Sequence, residues 1–302
     1  MWFWLALIAL LCWSGSDLFS KIGCQGEDDH LAHLKMVIAV GTVMGLHAAY
    51  EIFVGGTEIS FSIILTYLPV SLLYIGSMTL GYMGLRYIEL SVSSPICNSS
   101  GALVALMTLI FLGGEDYSPL AIGAIILVCV GAIGLGVVDA TEDPELRAAR
   151  QEQGNRKYTK SFLALALPVA YCLLDAAGTF ADNRVLETLN EASANCAYEL
   201  TFLAAAVLSF IYVVIIRRDR LVPRMEAPKF LGAICETAGQ FAYIYAIADT
   251  EHLAMSAPII SAYCAASVLW SRLFLKEKLS WKHYLMIALV VIGIVIMGVF
   301  DV

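Results

Sequence analysis

The sequence predicts an all-α polytopic membrane protein, ten transmembrane helices arranged as two inverted five-helix repeats. Three observations carry that expectation. The 302 residues are 60% hydrophobic, with a mean hydropathy of +0.78 and only 15% charged, where soluble globules carry roughly 25% charged residues. Ten windows reach the roughly 20 mostly apolar residues that a bilayer core requires, near 3–22, 33–54, 62–86, 91–113, 119–139, 161–181, 196–216, 230–248, 253–274 and 282–300. Residues of the first half also recur in the second at nearly constant offset: Gly76, Tyr82 and Pro95 as Gly239, Tyr245 and Pro258, then Glu115, Ser118, Gly131 and Gly136 as Glu277, Ser280, Gly293 and Gly298. An odd number of spans per copy inserts the second copy upside down, placing a site near the midplane between them.

The first span opens MWFWLALIALLC and continues WSGSDLFSK, with Asp17 inside it. It lacks a basic n-region, runs too long for a cleavable signal and is followed by further spans. A charge near the bilayer centre costs at least about 2.5–3.5 kcal/mol, so Asp17 either pairs with Lys21 one turn on or faces a wet cavity. Span two carries His47 with Tyr50 a turn later, a proton relay or a helix-packing hydrogen bond. Span three brings Tyr74 and Tyr82. Span four holds Pro95, with Asn98 three residues on among Ser94, Ser99 and Ser100. Proline frees helix carbonyls that neighbours or waters must satisfy, so this is either a packing kink or a polar site. Span five starts at Ser118-Pro119, a good N-cap and N1 pair, and its Gly131 and Gly136 allow close helix approach. Glu115 and Glu277 read as interfacial helix-end residues.

The stretch TEDPELRAARQEQGNRKYTK (141–160) is the one convincing linker, giving halves 1–140 and 161–302. Span six contains Tyr171 and Asp175, weaker counterparts of Trp13 and Asp17. Asp175 has no basic residue within a turn, so it is the stronger functional candidate. Glu199 beside Tyr198 opens span seven and reads as a solvated helix end. In span eight Glu236, Gln240 and Tyr243 fall on one face as a polar stripe, a binding element or an inter-helix clamp. Span nine repeats the proline motif as Pro258 with Ser261 and Tyr263, and span ten follows Ser280. Of the aromatic candidates Trp13, Tyr74, Tyr82, Tyr171, Tyr243 and Tyr245, the duplicated Tyr82 and Tyr245 are carried forward as lining or gating residues.

Two stretches, "LRYIELSVSSPICNSSGALVALMTLIFLGGEDYSPLAIGAIILVCVGAIGLGV" and "YAIADTEHLAMSAPIISAYCAASVLWSRLFLKEKLSWKHYLMIALVVIGIVIMGVF", each show a small-residue helix with proline, a terminal Gly-Glu or Lys-Glu and a glycine-bearing last helix. They resemble the drug/metabolite transporter superfamily in its ten-helix EamA-type branch, and Trp13 and Lys21 match that group's usual start. The resemblance spans essentially the whole chain. It implies a central cavity, alternating access and a small-molecule substrate, among members that carry amino acids, nucleobases, drugs or sugar-linked metabolites.

Charge orients the chain and narrows its cargo. Of the 18 basic residues, 17 fall in loops or span ends on one face, with Arg184 alone opposite. The positive-inside rule then predicts a cytoplasmic linker and both termini outside, against the resembling family's usual arrangement. A net charge of −8 argues against a nucleic-acid partner. The eight cysteines lack paired spacing and an accompanying His cluster, so neither disulfides nor a metal site is expected. No phosphate-loop or cofactor motif is present.

Span interiors carry carboxylates but no Lys or Arg away from their ends. Anionic sugar nucleotides or phosphorylated sugars would want buried cations, whereas a cationic or zwitterionic amine or amino-acid-like solute suits carboxylates and aromatic faces. The expected function is a proton-coupled secondary transporter in the plasma or inner membrane. Asp175 and Glu236 bind substrate or proton, Gln240 and Asn98 orient, Tyr82 and Tyr245 line, and Asp17 contributes. Its partners are the solute and the lipid bilayer, and a homo-oligomer is compatible. The alternatives are a flippase for a lipid-linked metabolite or a non-transporting membrane partner. An enzyme is not expected, because the sequence around Asp17 and Asp175 lacks the contexts of an intramembrane aspartyl protease.

Overall fold

The computed structural model describes residues 1–24, 29–87, 90–111, 118–141, 162–276 and 279–300. Glu115, Glu277 and all of the predicted linker except Thr141 lie outside them. The α-helices are α1 (Trp2–Cys24), α2 (Ala32–Phe53), α3 (Phe61–Tyr87), α4 (Leu90–Asn98), α5 (Ser100–Phe111), α6 (Pro119–Ala140), α7 (Phe162–Leu186), α8 (Glu191–Phe210), α9 (Pro223–Ile247), α10 (Leu253–Ser261), α11 (Tyr263–Phe274) and α12 (Trp281–Phe300). A π-helical turn, Ile211–Ile216, prolongs α8.

Spans four and nine are each broken, into α4/α5 and α10/α11. Both breaks fall four residues after the embedded proline, at Ser99 and Ala262. Proline removes an N–H and crowds the preceding turn, and the chain restarts within a residue of each break. The two broken spans cross tightly: a Cβ on Gly101 of α5 would stand 2.9 Å from the Ala257 carbonyl oxygen of α10. Glycine is required at that crossing.

Elsewhere α1 packs on α9, α3 on α7, α2 on α8 and on α9, α3 on α8, and α6 on α12. The last pair interlocks reciprocally. A Cβ on Gly131 would sit 2.8 Å from the Met286 carbonyl oxygen, and one on Gly293 would sit 2.8 Å from that of Ala124. The capping expectation holds at Ser118, whose Oγ accepts from Ala121 N at 3.0 Å. At its duplicate the bond runs the other way, as Ser280 N donates to His283 Nδ1 at 3.1 Å, the reciprocal half of a capping box.

Seven segments among the described residues are long and apolar enough to cross a membrane, and residues 281–297 form a shorter apolar helix. Helix α9 falls outside that set and carries Glu236 and Gln240 toward the bundle interior. Large apolar side chains such as Trp4, Leu46, Ile110 and Val207 stand exposed on the outside. Such a surface suits acyl chains, and backbone polar groups are satisfied within helices, as a bilayer demands. The chain is an all-helical multi-pass membrane protein.

Candidate functional site

The bundle encloses a cavity, with about 930 Å³ of empty space counting the part open to solvent. Its walls come from α1, α3, α4, α5, α7, α9, α10 and α11, plus Tyr198 of α8. Six of the sequence-derived site residues meet there: Asp17, Tyr82, Asn98, Asp175, Glu236 and Gln240.

Each carboxylate is held by hydroxyls. Asp17 Oδ2 accepts from Ser94 and from Ser267 Oγ at 2.8 Å. Asp175 Oδ2 accepts from Ser100 Oγ at 2.7 Å. Ser94 and Ser100 flank the break after α4, so the irregular span reaches one carboxylate from each side of the break. Asn98 Nδ2 donates to the Ser94 carbonyl at 2.8 Å and to Ser94 Oγ at 3.2 Å, fixing the hydroxyl that serves Asp17. The Asp17–Lys21 ion pair weighed from the sequence is replaced by these contacts. Lys21 Nζ donates to the Leu85 carbonyl at 2.8 Å, because a lysine one turn nearer the helix end reaches the exposed C-terminal carbonyls of α3.

The polar stripe of α9 lines the cavity throughout: Glu236, Gln240 and Tyr243. Trp13 anchors beside it, donating from Nε1 to the Glu236 carbonyl at 3.3 Å and lying over Gly239. Its ring is 5.0 Å from Tyr243 and 5.9 Å from Tyr263. Tyr82 Oη and Gln240 Nε2 are buried without a hydrogen-bond partner among the described residues. A bound solute with an acceptor group is the natural partner for such donors.

Tyr245 stands apart from this constellation. It packs on Phe241 with ring centroids 5.2 Å apart and takes no part in the cavity wall. The reason is helical periodicity: Tyr243 faces inward, and two residues later the chain has turned about 200°. Tyr245 therefore points elsewhere, while its counterpart Tyr82 lines the cavity together with Trp13, Tyr74, Tyr171 and Tyr243.

Glu199 also departs from expectation. Its side chain is fully buried rather than solvated. His47 Nδ1 lies 2.8 Å from Glu199 Oε1, and Asn195 Nδ2 donates to the same oxygen at 3.1 Å. The α2–α8 contact supplies the partners that an isolated helix end would lack. His47 thus serves as a helix-packing group in this arrangement.

Sequence reasoning missed Asp182. It is fully buried one turn beyond Thr179, with Oδ1 accepting from Tyr67 Oη at 2.6 Å and Oδ2 from Tyr74 Oη at 3.3 Å. Tyr74 and Tyr243 hydrogen-bond through their hydroxyls, and Tyr243 Oη donates to Thr179 Oγ1 at 3.1 Å. A signal was available, since Asp175, Thr179 and Asp182 repeat the i, i+4, i+7 spacing of Glu236, Gln240 and Tyr243. It went unread because the sixth span was ended at residue 181.

Comparison with known proteins fits this architecture. A solved structure described only as "Crystal structure of protein" superposes with a TM-score of 0.64, covering 98% of this chain and 96% of its own, at 15% sequence identity. At that identity the likeness speaks for the fold. No curated protein matches the sequence. The profile of the UAA transporter family matches residues 38–299, from the second span almost to the last residue described. A membrane-spanning helical bundle around a cavity is what a solute transporter needs, and this chain belongs to the UAA transporter family.

Proposed function

We propose that this membrane solute transporter carries a small organic cation or zwitterion, amine or amino-acid-like, by proton-coupled alternating access. One observation carries the reading: Asp17, Asp175 and Glu236 share a cavity whose described lining contains no Lys or Arg. An ammonium group would replace water against these carboxylates, with Trp13 and Tyr243 offering aromatic faces to a cation. Tyr82 and Gln240 would donate to a carboxylate or carbonyl at the other end of the solute.

The EamA-like duplication supports halves 1–140 and 161–302 that alternate about this cavity. Exchanging the halves turns the α1–α9 contact into α7–α3 and the α2–α9 contact into α8–α3, while α2–α8 and α6–α12 map onto themselves. The basic-residue count supports a cell-membrane protein with a cytoplasmic linker and both termini outside. A C-terminal reporter accessible only from the cytoplasm would reverse that orientation.

The family assignment favours a second reading, a nucleotide-sugar cargo. Its diphosphate would meet three carboxylates here, an unfavourable juxtaposition of like charges. A thermal-shift screen of the purified protein against amines, amino acids, nucleobases and nucleotide sugars separates the two. Stabilisation by amines or amino acids, lost on Glu236→Gln, is expected. Stabilisation by nucleotide sugars alone overturns the cationic reading. In liposomes a pH gradient is expected to accelerate uptake of the stabilising solute, and equal rates without it would remove the coupling.

A further inference from the structure

We propose that Asp182 holds the proton that drives transport, loaded from the cavity through the hydroxyls of Tyr243 and Tyr74. The proposal rests on the proton-coupled reading above and moves the coupling site away from Asp175 and Glu236. Asp182 lies outside the cavity wall, its side chain fully buried. Tyr67 and Tyr74 approach it from α3, Tyr243 from α9 and Tyr198 from α8, with Thr179 and Asp175 on its own helix. Among the described residues no basic side chain pairs with it. Neighbouring Arg184 instead binds Glu187 and lies over the Phe180 ring.

A buried charge without a partner cation is strongly disfavoured. The site must therefore take up a positive charge at some point in a cycle that exposes it to water. A proton fits better than a metal cation, because the two tyrosines donate to the carboxyl rather than offering bare oxygen ligands. The route is complete once Tyr243 Oη turns its single proton from Thr179 Oγ1 to Tyr74 Oη: both tyrosines line the cavity, and Tyr74 donates to Asp182 Oδ2.

The transfer balances. A proton leaving a donor in the cavity bonds to Tyr243 Oη as the original Tyr243 proton passes to Tyr74 Oη and the Tyr74 proton to Asp182 Oδ2. Three O–H bonds form and three bonds to hydrogen break. The phenols end as they began, and the carboxylate becomes a carboxylic acid.

Infrared difference spectroscopy during a pH titration of the purified protein tests this with protons as the only probe. The expected result is a titrating carboxylic-acid band that Asp182→Asn abolishes and that Asp175→Asn and Glu236→Gln retain. Tyr74→Phe keeps the ring but breaks the relay, and should slow hydrogen–deuterium exchange of that band by at least about 100-fold. It also decides the matter should the Asp182 variant fail to fold. A wild-type band surviving in Asp182→Asn, or wild-type exchange in Tyr74→Phe, overturns the proposal alone. Liposome transport indifferent to a pH gradient removes the coupling reading and this proposal together.

Discussion

The two ends of the bundle solve the burial of polar groups in opposite ways. At the end where α1 stops and α2 begins, Lys35 Nζ sits 2.9 Å from Asp29 and 3.2 Å from Asp219. Lys229 Nζ, fully buried, lies 3.4 Å from Asp29 and 2.9 Å from Glu226. At the end where α3 begins and α7 finishes, Asp182 is equally buried, yet it is held by tyrosine hydroxyls alone among the described residues. One end carries charges already neutralised by neighbours and locked by geometry. The other keeps an acid whose charge has no fixed counterpart. The difference teaches that burial alone does not mark a working group: a compensated acid is structural cement, and an uncompensated acid beside a cavity has chemistry left to do.

That contrast can be broken most directly at Lys229. Lys229→Met should destabilise by about 3–5 kcal/mol, the usual cost of stranding a buried charge, read as a lowered melting temperature in detergent. Adding Asp29→Asn should recover part of that loss. A single variant as stable as wild type would dissolve the distinction between the ends.

The α6–α12 crossing offers a control in which the halves match. Gly131→Leu and Gly293→Leu should each cost about 1–3 kcal/mol through overpacking, and by nearly equal amounts if the crossing is symmetric. Unequal losses would show that the duplicated glycines carry different loads.

The smallest stability effect is expected at Asp182. Asp182→Asn retains an acceptor for Tyr67 or Tyr74 and should change stability by about 1 kcal/mol or less, measured by the same melt. A large loss there would make Asp182 a structural element like the Lys229 cluster and sharpen the comparison against its proposed role.

Much of this site was readable along single helices. Glu236, Gln240 and Tyr243 share a face because their spacing follows the helical turn, and all three reach the cavity. Asp17 and Asp175 stood out because a carboxylate in an apolar run is costly wherever it sits. Tyr245 misled because duplication fixes where a residue lies in a repeat without fixing which way it points once α9 is packed. Glu199 misled because its partners, His47 and Asn195, arrive from α2 and from the preceding turn.

The amino-acid sequence by itself determined the membrane class, the helices, the broken spans at Pro95 and Pro258 and the sign of the charge lining the cavity, since hydropathy, periodicity and proline sterics act within one segment. The tertiary structure alone decided that Lys21 serves Leu85 rather than Asp17, that serines satisfy both cavity aspartates, and that Asp182 meets two tyrosines of α3. Those outcomes depend on distances between residues remote in the chain, and no local pattern encodes which of several polar neighbours a buried carboxylate will meet.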